Sequence, residues 1–260
     1  MAEVVIVPTA DRGGEIVAHH IAALVSERPR LTLGVATGTS PVPVYRALAA
    51  HAAAGLDFSQ VTVFALDEYV GLLPDHPESY RAVIDREVTR PLGLESAKVH
   101  VPDGSLVGIA DAGARYEREI EDSGGIELQL LGIGSDGHIG FNEPGSGFGS
   151  LTRVKTLTES TRRDNARFFE SPDQVPLHCV TQGLGTILRA RHLVLLAFGE
   201  PKAEALAASV EGPVTASVPG SAIQLHGHVT VVADELAAAR LANLDYYRWA
   251  QDHKPSWQGL

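Results

Sequence analysis

Short β-rich runs alternate with longer helical patterns along the chain, and this alternation constrains the fold more than any other feature. The first β-rich run covers residues 4–7, a helical pattern covers 14–27, and a second β-rich run covers 31–36. Strands separated by helices predict a parallel or mostly parallel sheet with helices on both faces. We therefore expect an open, three-layer α/β fold.

The alternation continues to the end of the chain. Further strands are predicted at residues 61–65, 99–101, 126–131, 154–157, 192–197 and 229–232. Helices are predicted near residues 42–53, 77–88, 109–122, 161–169, 184–189, 202–210 and 234–249. The tail after Trp249 is expected to be irregular or to form a lid. No repeat or flexible linker divides the sequence, so residues 1–260 are expected to form one domain.

Composition and charge exclude several classes of partner and indicate a cellular compartment. The net charge of −11 argues against binding to nucleic acid or to an anionic membrane surface. The single cysteine, Cys179, excludes an internal disulfide and a cysteine-rich zinc site. The chain lacks a secretory signal pattern and an apolar run of the ~18 residues that a membrane helix needs. We expect a cytoplasmic protein.

Three unusual loops directly follow predicted strands. They cover residues 37–41, 67–80 and 132–147. Ligands of open parallel sheets bind at the carboxyl ends of the strands. The three loops are therefore expected to converge on one rim of the sheet.

The third loop contains the glycine spacing of a dinucleotide-binding turn, Gly132-x-Gly134-x-x-Gly137. That motif requires a helix to begin at its last glycine, but a proline and four further glycines follow here. Asp136, within the turn, would also repel a phosphate. The glycines are instead expected to let the backbone turn sharply at the strand end.

The same loop carries Asp136, His138 and Glu143. One imidazole beside two carboxylates predicts a proton shuttle, because a carboxylate fixes the imidazole tautomer. The alternative is an exposed loop in which Asp136 makes an Asx-turn and Glu143 is solvated.

Two adjacent acids, Asp67 and Glu68, follow an apolar strand in the second loop. A general base is expected at such a position in an open α/β sheet. The alternative is that Asp67 only caps the following turn.

The first loop, Thr37-Gly38-Thr39-Ser40-Pro41, leads from a strand into a helix. Backbone N–H groups and hydroxyls at a helix N-terminus bind anions, and the missing Gly-Lys-Ser/Thr ending favours a single phosphate. The alternative is that Ser40 is an ordinary N-cap residue.

Other residues complete the list of candidates. Arg167 and Lys202 are cations that could complete the anion site. His226 and His228 flank a glycine without a third metal ligand nearby, so we interpret them as structural.

Two long blocks of sequence, LDEYVGL…HPESY and GIGSDGHIGFNEPGS, make the chain resemble the glucosamine-6-phosphate deaminase family. The resemblance covers about residues 33–232 and implies a Rossmann-like sheet of the sugar-phosphate isomerase/deaminase type. It further implies a sugar-phosphate substrate and a role in amino-sugar (N-acetylglucosamine) catabolism. The reaction would convert glucosamine 6-phosphate and water to fructose 6-phosphate and ammonia, without metal or organic cofactor.

The resemblance also implies a role for each candidate residue. Asp67 would move a proton from C2 to C1, and His138, supported by Asp136 and Glu143, would open the sugar ring. The phosphate and sugar would be held by Thr37, Gly38, Thr39, Ser40, Arg167 and Lys202.

The resemblance implies less about regulation and assembly than about the reaction. Some hexameric relatives are activated by N-acetylglucosamine 6-phosphate at a subunit boundary, and Ser146, Arg153 and Lys155 match positions used there. The C-terminal tail matches poorly, so allostery and homo-oligomer formation stay open.

Three other functions compete with the deaminase. A 6-phosphogluconolactonase is similar in fold and in the Gly-x-Asp-Gly-His block, but hydrolysis of a lactone needs no C2 base. A deaminase of galactosamine 6-phosphate differs only in one hydroxyl epimer. A catalytically silent sugar-phosphate sensor would carry an added DNA-binding module, and the sequence shows no basic helical module.

Overall fold

A parallel sheet of seven strands lies at the centre of the computed structural model, which describes residues 2–255 and 258–260. The strand order is β1-β10-β9-β6-β2-β3-β5, and every neighbouring pair is parallel. Its strands are β1 (Glu3–Val7), β2 (Thr32–Val35), β3 (Thr62–Ala65), β5 (Val99–His100), β6 (Leu128–Gly132), β9 (His192–Ala197) and β10 (Val229–Asp234). The predicted open α/β fold is confirmed.

Helices connect the strands and cover both faces of the sheet. They are α1 (Ala10–Glu27), α2 (Val42–Ala53), α3 (Tyr80–Ile84), α4 (Arg90–Leu92), α5 (Ile109–Asp122), α6 (Glu159–Asn165), α7 (Leu184–Ile187), α8 (Ala203–Val210), α9 (Glu235–Ala238) and α10 (Leu244–Asp252). A π-helical turn, Asp85–Thr89, joins α3 to α4. Among the described residues, no helix combines the length and apolarity needed to cross a bilayer.

Alternate residues of each strand face opposite layers. In β1, Val5 and Val7 belong to the hydrophobic cluster that contains residues of α1 and α2, whereas Val4 and Ile6 belong to the cluster that contains residues of α5, α8 and α10. This period of two follows from the pleat of a strand. The sheet is therefore buried on both sides, which explains why its strands are apolar throughout.

The strand order has a topological switch point between β2 and β6. Strands β2 and β6 are neighbours, yet after β2 the chain moves outward to β3 and β5, and after β6 it moves the other way to β9 and β10. A crevice opens outside the carboxyl ends of two such strands, and ligands bind there in open α/β sheets.

A second sheet of three antiparallel strands was not predicted. It consists of β4 (Asp67–Tyr69), β8 (His178–Thr181) and β7 (Arg153–Thr156), in the order β4-β8-β7. Only β7 was predicted as a strand. The other two strands are short, and their pairing depends on segments about a hundred residues apart, which no local pattern shows.

Two predicted helices differ from the observed ones. The helix predicted from residue 77 begins at Tyr80, because Ser79 Oγ caps it by accepting from the Ala82 N–H at 3.1 Å. The helix predicted at 234–249 is broken between α9 and α10. There the carboxylate of Glu211 accepts the N–H groups of Ala242 and Asn243, which cannot then bond within a helix.

The C-terminal segment packs on an edge of the main sheet, and its described residues after Asp252 are irregular, as predicted. Helix α10 extends to Asp252, and the Gln251 side chain bonds both the N–H and the carbonyl of Ile6 in edge strand β1. Lys254 pairs with Glu3 of the same strand. Within the tail, Ser256 and Trp257 lie outside the described residues.

Candidate active site

The three predicted loops meet around one cavity of about 610 Å³ at the carboxyl ends of β2, β3 and β6. The cavity is lined by residues of all three loops, including residues 37–40, Asp67, 132–135 and His138, together with Arg167 and Lys202. The predicted convergence is therefore confirmed. It follows from the parallel arrangement, which brings the carboxyl ends of neighbouring strands to one rim.

Asp67 projects into this cavity from the first position of β4. Its side chain is buried, with a relative exposure of 5 %, and it forms no ion pair with a described residue. Burial and the neighbouring charge of Glu68 raise the pKa of Asp67 to about 8, against a smaller opposing effect of the Phe141 N–H. A carboxylate of raised basicity in a cavity is suited to abstract a proton.

Glu68 has a different environment although it is the next residue. Its carboxylate accepts the backbone N–H groups of Tyr69 and Tyr80, both at 2.8 Å, and of Arg81 at 2.9 Å. The last two belong to the first turn of α3, so Glu68 satisfies N–H groups that the helix leaves free. The second acid is thus explained as a helix cap and not as a second base.

His138 lies between two carboxylates. Its Nδ1 is 2.6 Å from Asp136 Oδ1 and 3.9 Å from Glu143 Oε2. The closer contact is that of an ion pair when the imidazole is protonated. Burial would raise the pKa of Asp136, but its bond to His138 and the imidazole charge outweigh burial and lower it to about 2.

The backbone and a helix cap hold the two carboxylates of this cluster. Asp136 Oδ1 accepts the His138 N–H at 3.1 Å, which is an Asx-turn, so that part of the alternative interpretation is correct. Glu143 is not solvated, because its relative exposure is 3 %. Its Oε1 accepts the N–H of Thr158 at 3.0 Å, and Thr158 is the N-cap of α6.

The three glycines of this loop serve different purposes, and the prediction that all of them permit a sharp turn was wrong. Only Gly137 has a positive φ, +83°. A Cβ on Gly134 would lie 2.6 Å from Nε2 of His138 and still closer to two other ring atoms. A Cβ on Gly132 would meet only Ser40 at 3.8 Å. Gly134 is therefore required for the close approach of the imidazole and not for backbone freedom.

The loop after β2 has the features of an anion site. Gly38 has a φ of +87°, which turns the chain before α2. The N-cap of α2 is Pro41, and no side chain caps the helix, so the interpretation of Ser40 as an ordinary N-cap was wrong. Tyr45 OH bonds both the N–H and the carbonyl of Ala36 and thereby fixes the start of the loop. The Ser40 hydroxyl remains available to a ligand.

Two cations face this loop from other elements. Arg167 lies in a 3-10 turn, Ala166–Phe168, after α6, and Lys202 ends another, Glu200–Lys202, after β9. Burial and the charge of Arg167 lower the pKa of Lys202, while Asp164 and Asp136 oppose this effect. Two cations close enough to repel each other favour an anion between them.

Sequence reasoning missed an aromatic wall of the cavity. Tyr69 and Tyr80 line it with their hydroxyls 3.5 Å apart, and Asn165 donates to the Tyr69 hydroxyl at 2.9 Å. Both tyrosines lie in the DEY and HPESY segments, in which no role was predicted for a tyrosine. Their position is decided by the pairing of β4 with β8, which is not visible in the sequence.

The three residues considered for allostery do not line this cavity. Arg153 donates to Asn142 Oδ1 at 2.8 Å and to Ser146 Oγ at 3.4 Å, so these residues are brought together. Lys155 lies two positions further along β7, on the same face as Arg153. Ser146 Oγ in turn donates to the carbonyl of Glu143, so this group is connected to the His138 cluster through the backbone.

The histidines of the LHGH segment bond the backbone or stack. His226 contacts the carbonyls of His228 and Ala190 through its two ring nitrogens, at 2.8 and 2.7 Å. His228 stacks on His192 with ring centroids 3.7 Å apart. The structural interpretation of His226 and His228 is thus confirmed. Among the described residues, metal-ligand spacing occurs instead at Asp136, His138 and Glu143, whose ligand atoms all lie within 4.8 Å of one another.

The fold and this cavity define an α/β protein of the open-sheet class, with a cavity at its topological switch point that brings a buried carboxylate and an imidazole together. More specifically, the chain belongs to the glucosamine-6-phosphate isomerase and 6-phosphogluconolactonase family, whose model matches residues 8–232.

Individual relatives are similar over their full length. A glucosamine-6-phosphate deaminase of Streptomyces coelicolor is 57% identical, with 99% of this chain and 100% of the relative covered. One of Bifidobacterium longum is 55% identical, and both chains are covered completely. The solved structure of a monomeric glucosamine-6-phosphate deaminase is 39% identical, covers 92% of this chain and 100% of its own, and has a TM-score of 0.89. The 6-phosphogluconolactonase of Leishmania guyanensis, at 22% identity and a TM-score of 0.71, shares the fold.

Proposed function

We infer that the protein converts glucosamine 6-phosphate and water to fructose 6-phosphate and ammonia. The observation that carries this proposal is the presence in one cavity of a buried acid, Asp67, which forms no ion pair with a described residue, and of an imidazole flanked by two carboxylates, His138. The reaction needs both, because ring opening and transfer of a carbon-bound proton are separate proton transfers. The deaminases that are 55–57% identical over full length support the same substrate.

In the first step His138 opens the pyranose ring. The imidazole accepts the proton of the anomeric hydroxyl and returns one to the ring oxygen, which produces the open-chain aldehyde. Asp136 and Glu143 stabilise the imidazolium that forms between these transfers. The two carboxylates also limit the orientations of the imidazole ring. The ring therefore stays directed at the bound sugar both when it accepts the proton and when it donates one.

In the second step Asp67 removes the proton from C2 and delivers it to C1. The intermediate is an enolamine, and protonation at C1 gives a C2 imine. Water then adds to the imine, and the amino group leaves as ammonia, which yields the ketone. Because a base of higher pKa accepts a carbon-bound proton more readily, the buried position of Asp67 supports this role.

The phosphate is held at the first loop. Backbone N–H groups at the start of α2 and the Ser40 hydroxyl provide donors, and Arg167 and Lys202 provide charge. Tyr69 and Tyr80 line the same cavity and exclude water from one side of the sugar. Thr37 lines the same cavity, within reach of the sugar hydroxyls.

The decisive experiment measures ammonia and fructose 6-phosphate released from glucosamine 6-phosphate by the purified protein. Asp67→Asn should abolish both products while the variant still binds the sugar phosphate, and Asp75→Asn, at an exposed loop position, should retain activity. Equal turnover by Asp67→Asn would exclude Asp67 as the base.

Parallel assays separate the competing functions. Hydrolysis of 6-phosphogluconolactone without ammonia release from any amino sugar would favour the lactonase. Binding of sugar phosphate without turnover would favour a silent sensor. Faster turnover of galactosamine 6-phosphate than of its epimer would change the substrate but keep the mechanism.

The cellular setting and the assembly are proposed on the same basis. We place the reaction in the cytoplasm, in the catabolism of N-acetylglucosamine. Ser146, Arg153 and Lys155 form the proposed effector site. Activity measured with and without N-acetylglucosamine 6-phosphate tests the effector, and light scattering of the eluted protein tests for a homo-oligomer.

A further inference from the structure

The His138 cluster has a donor set that suits a borderline divalent metal ion. It offers one imidazole nitrogen and two carboxylate oxygens, and one ligand atom from each residue lies within 4.8 Å of the others. Zinc sites that keep a position open for a further ligand have three protein ligands of these types. Of the three residues, His138 lines the cavity, and its Nδ1 and Glu143 Oε2 are both buried.

One carboxylate oxygen of this cluster has no hydrogen-bond partner among the described residues. Glu143 Oε2 is buried and makes no hydrogen bond to a described residue, whereas Oε1 is bonded to Thr158. A buried carboxylate oxygen without a donor is unfavourable by about 1–3 kcal/mol. Because Thr158 fixes the orientation of the carboxylate, Oε2 stays directed at His138 Nδ1. A cation at this point satisfies both atoms.

The distances allow coordination with small adjustments. In a tetrahedral site with bonds of about 2.0–2.2 Å, ligand atoms lie roughly 3.3 Å apart. The observed separations from His138 Nδ1 are 2.6 Å to Asp136 and 3.9 Å to Glu143, one shorter and one longer than this value. Each of these two separations changes by a fraction of an ångström to reach it, and the third, between Asp136 and Glu143, is at most 4.8 Å. The two carboxylates together also balance the charge of a divalent ion.

We propose that Zn²⁺ binds reversibly to Asp136, His138 and Glu143 and inhibits the protein by occupying its proton-transfer cluster. A metal on Nδ1 leaves the remaining imidazole proton on Nε2. The ring can then donate that proton but cannot accept another, so it no longer shuttles protons. This inference goes beyond the proposed function, which needs no metal.

A second histidine-rich region supplies an internal control. His192 and His228 are stacked with their planes 3° apart, and His20 meets His192 edge-on. The nitrogens of two parallel stacked rings lie side by side and do not point at one common metal position. This region lies apart from the cavity, so zinc held only there would leave the His138 cluster free.

The test is equilibrium dialysis of the metal-free protein against zinc chloride at neutral pH, which does not depend on turnover. We expect one zinc ion per chain. Affinity should fall at least tenfold in Glu143→Gln and in Asp136→Asn, and it should be unchanged in His228→Gln. Glu143→Gln retains an oxygen for Thr158, and circular dichroism and a melting curve establish that each variant is folded.

Competition completes the experiment. Glucosamine 6-phosphate at saturation should weaken zinc binding, and a chelator should restore any activity that zinc removed. Absence of zinc binding, or binding that is lost in His228→Gln and kept in Glu143→Gln, would overturn the inference. Failure of ammonia release would reject the proposed function while leaving the dialysis result intact, so the two can fail separately.

Discussion

Asp67 and Glu68 are consecutive residues of β4, but their carboxylates have opposite surroundings. Glu68 accepts three backbone N–H groups, whereas Asp67 is buried in the cavity with a pKa raised to about 8. Successive side chains of a strand point to opposite faces, so the pairing of β4 with β8 separates the two acids. One acid stabilises the fold, and the other is left reactive.

Asp67→Asn should abolish activity and stabilise the protein at neutral and alkaline pH. The folded pKa of about 8 lies above the ordinary value of 3.8, so Asp67 contributes stability below the ordinary value and loses it as pH rises through about 8. Because asparagine does not ionise, the Asp67→Asn variant does not lose this stability as the pH rises. Melting temperatures should therefore agree near pH 4 and diverge increasingly up to about pH 8. The exposed Asp75→Asn should show no such divergence, and equal melting temperatures of Asp67→Asn and wild type throughout would contradict the prediction.

The pH profile of kcat/KM should rise through the pKa of Asp67. A general base acts only when deprotonated, so kcat/KM for glucosamine 6-phosphate should increase with pH and level off above about 8. Initial rates of ammonia release at low substrate concentration measure this directly. A profile that is flat across this range would mean that Asp67 does not act as the base of the free protein.

Glu68→Gln should destabilise the protein more than it slows the reaction. The amide group replaces an acceptor oxygen with a donor that faces the N–H groups of Tyr80 or Arg81. We expect the free energy of unfolding to fall by about 1–3 kcal/mol. Urea unfolding measures this loss, and Glu95→Gln, at an exposed position, serves as the control. A loss of activity as complete as that of Asp67→Asn at unchanged stability would assign Glu68 a chemical role.

Gly134→Ala should impair catalysis although its φ is ordinary. The new methyl group would overlap the imidazole of His138 and displace it. A displacement of about 1 Å reduces rates by about 100-fold, so we expect kcat to fall by this order. Gly147→Ala, where an added Cβ meets no atom within 4 Å, should be nearly neutral. Measurement of kcat for both variants tests this prediction. Similar kcat values for the two variants would mean that the imidazole of His138 has room to move.

Thr158→Val should weaken both α6 and the orientation of Glu143. The Thr158 hydroxyl bonds Glu143 Oε1 at 3.3 Å and accepts the Thr161 N–H at 3.2 Å, while its backbone N–H bond to Glu143 remains in the variant. Loss of such a cap is unfavourable by about 1 kcal/mol. We expect a lower melting temperature and a reduced kcat with little change in KM. Thr158→Ser should restore both, and a melting temperature that falls without any change in kcat would limit Thr158 to the helix.

The sequence by itself determined the layered fold and the place of the site. Apolar runs of strand length between helical patterns permit little other than a parallel sheet, and the rule for ligands at strand ends then located three loops on one rim. Asp67 and His138 were identified in this way, because their chemistry is local and their loops immediately follow strands. The resemblance to a known family added the reaction.

The tertiary structure decided how neighbouring residues divide their roles. The small antiparallel sheet joins β4 to β8, which are separated by about a hundred residues, and this pairing alone buries Asp67 and directs Glu68 to α3. The function of Gly134 likewise depends on an imidazole that folds back over it. Long-range pairing and close approach leave no periodic signal in the sequence, because they depend on which distant segments meet. Only the folded chain shows which of two adjacent carboxylates lies buried in the cavity and which one caps a helix.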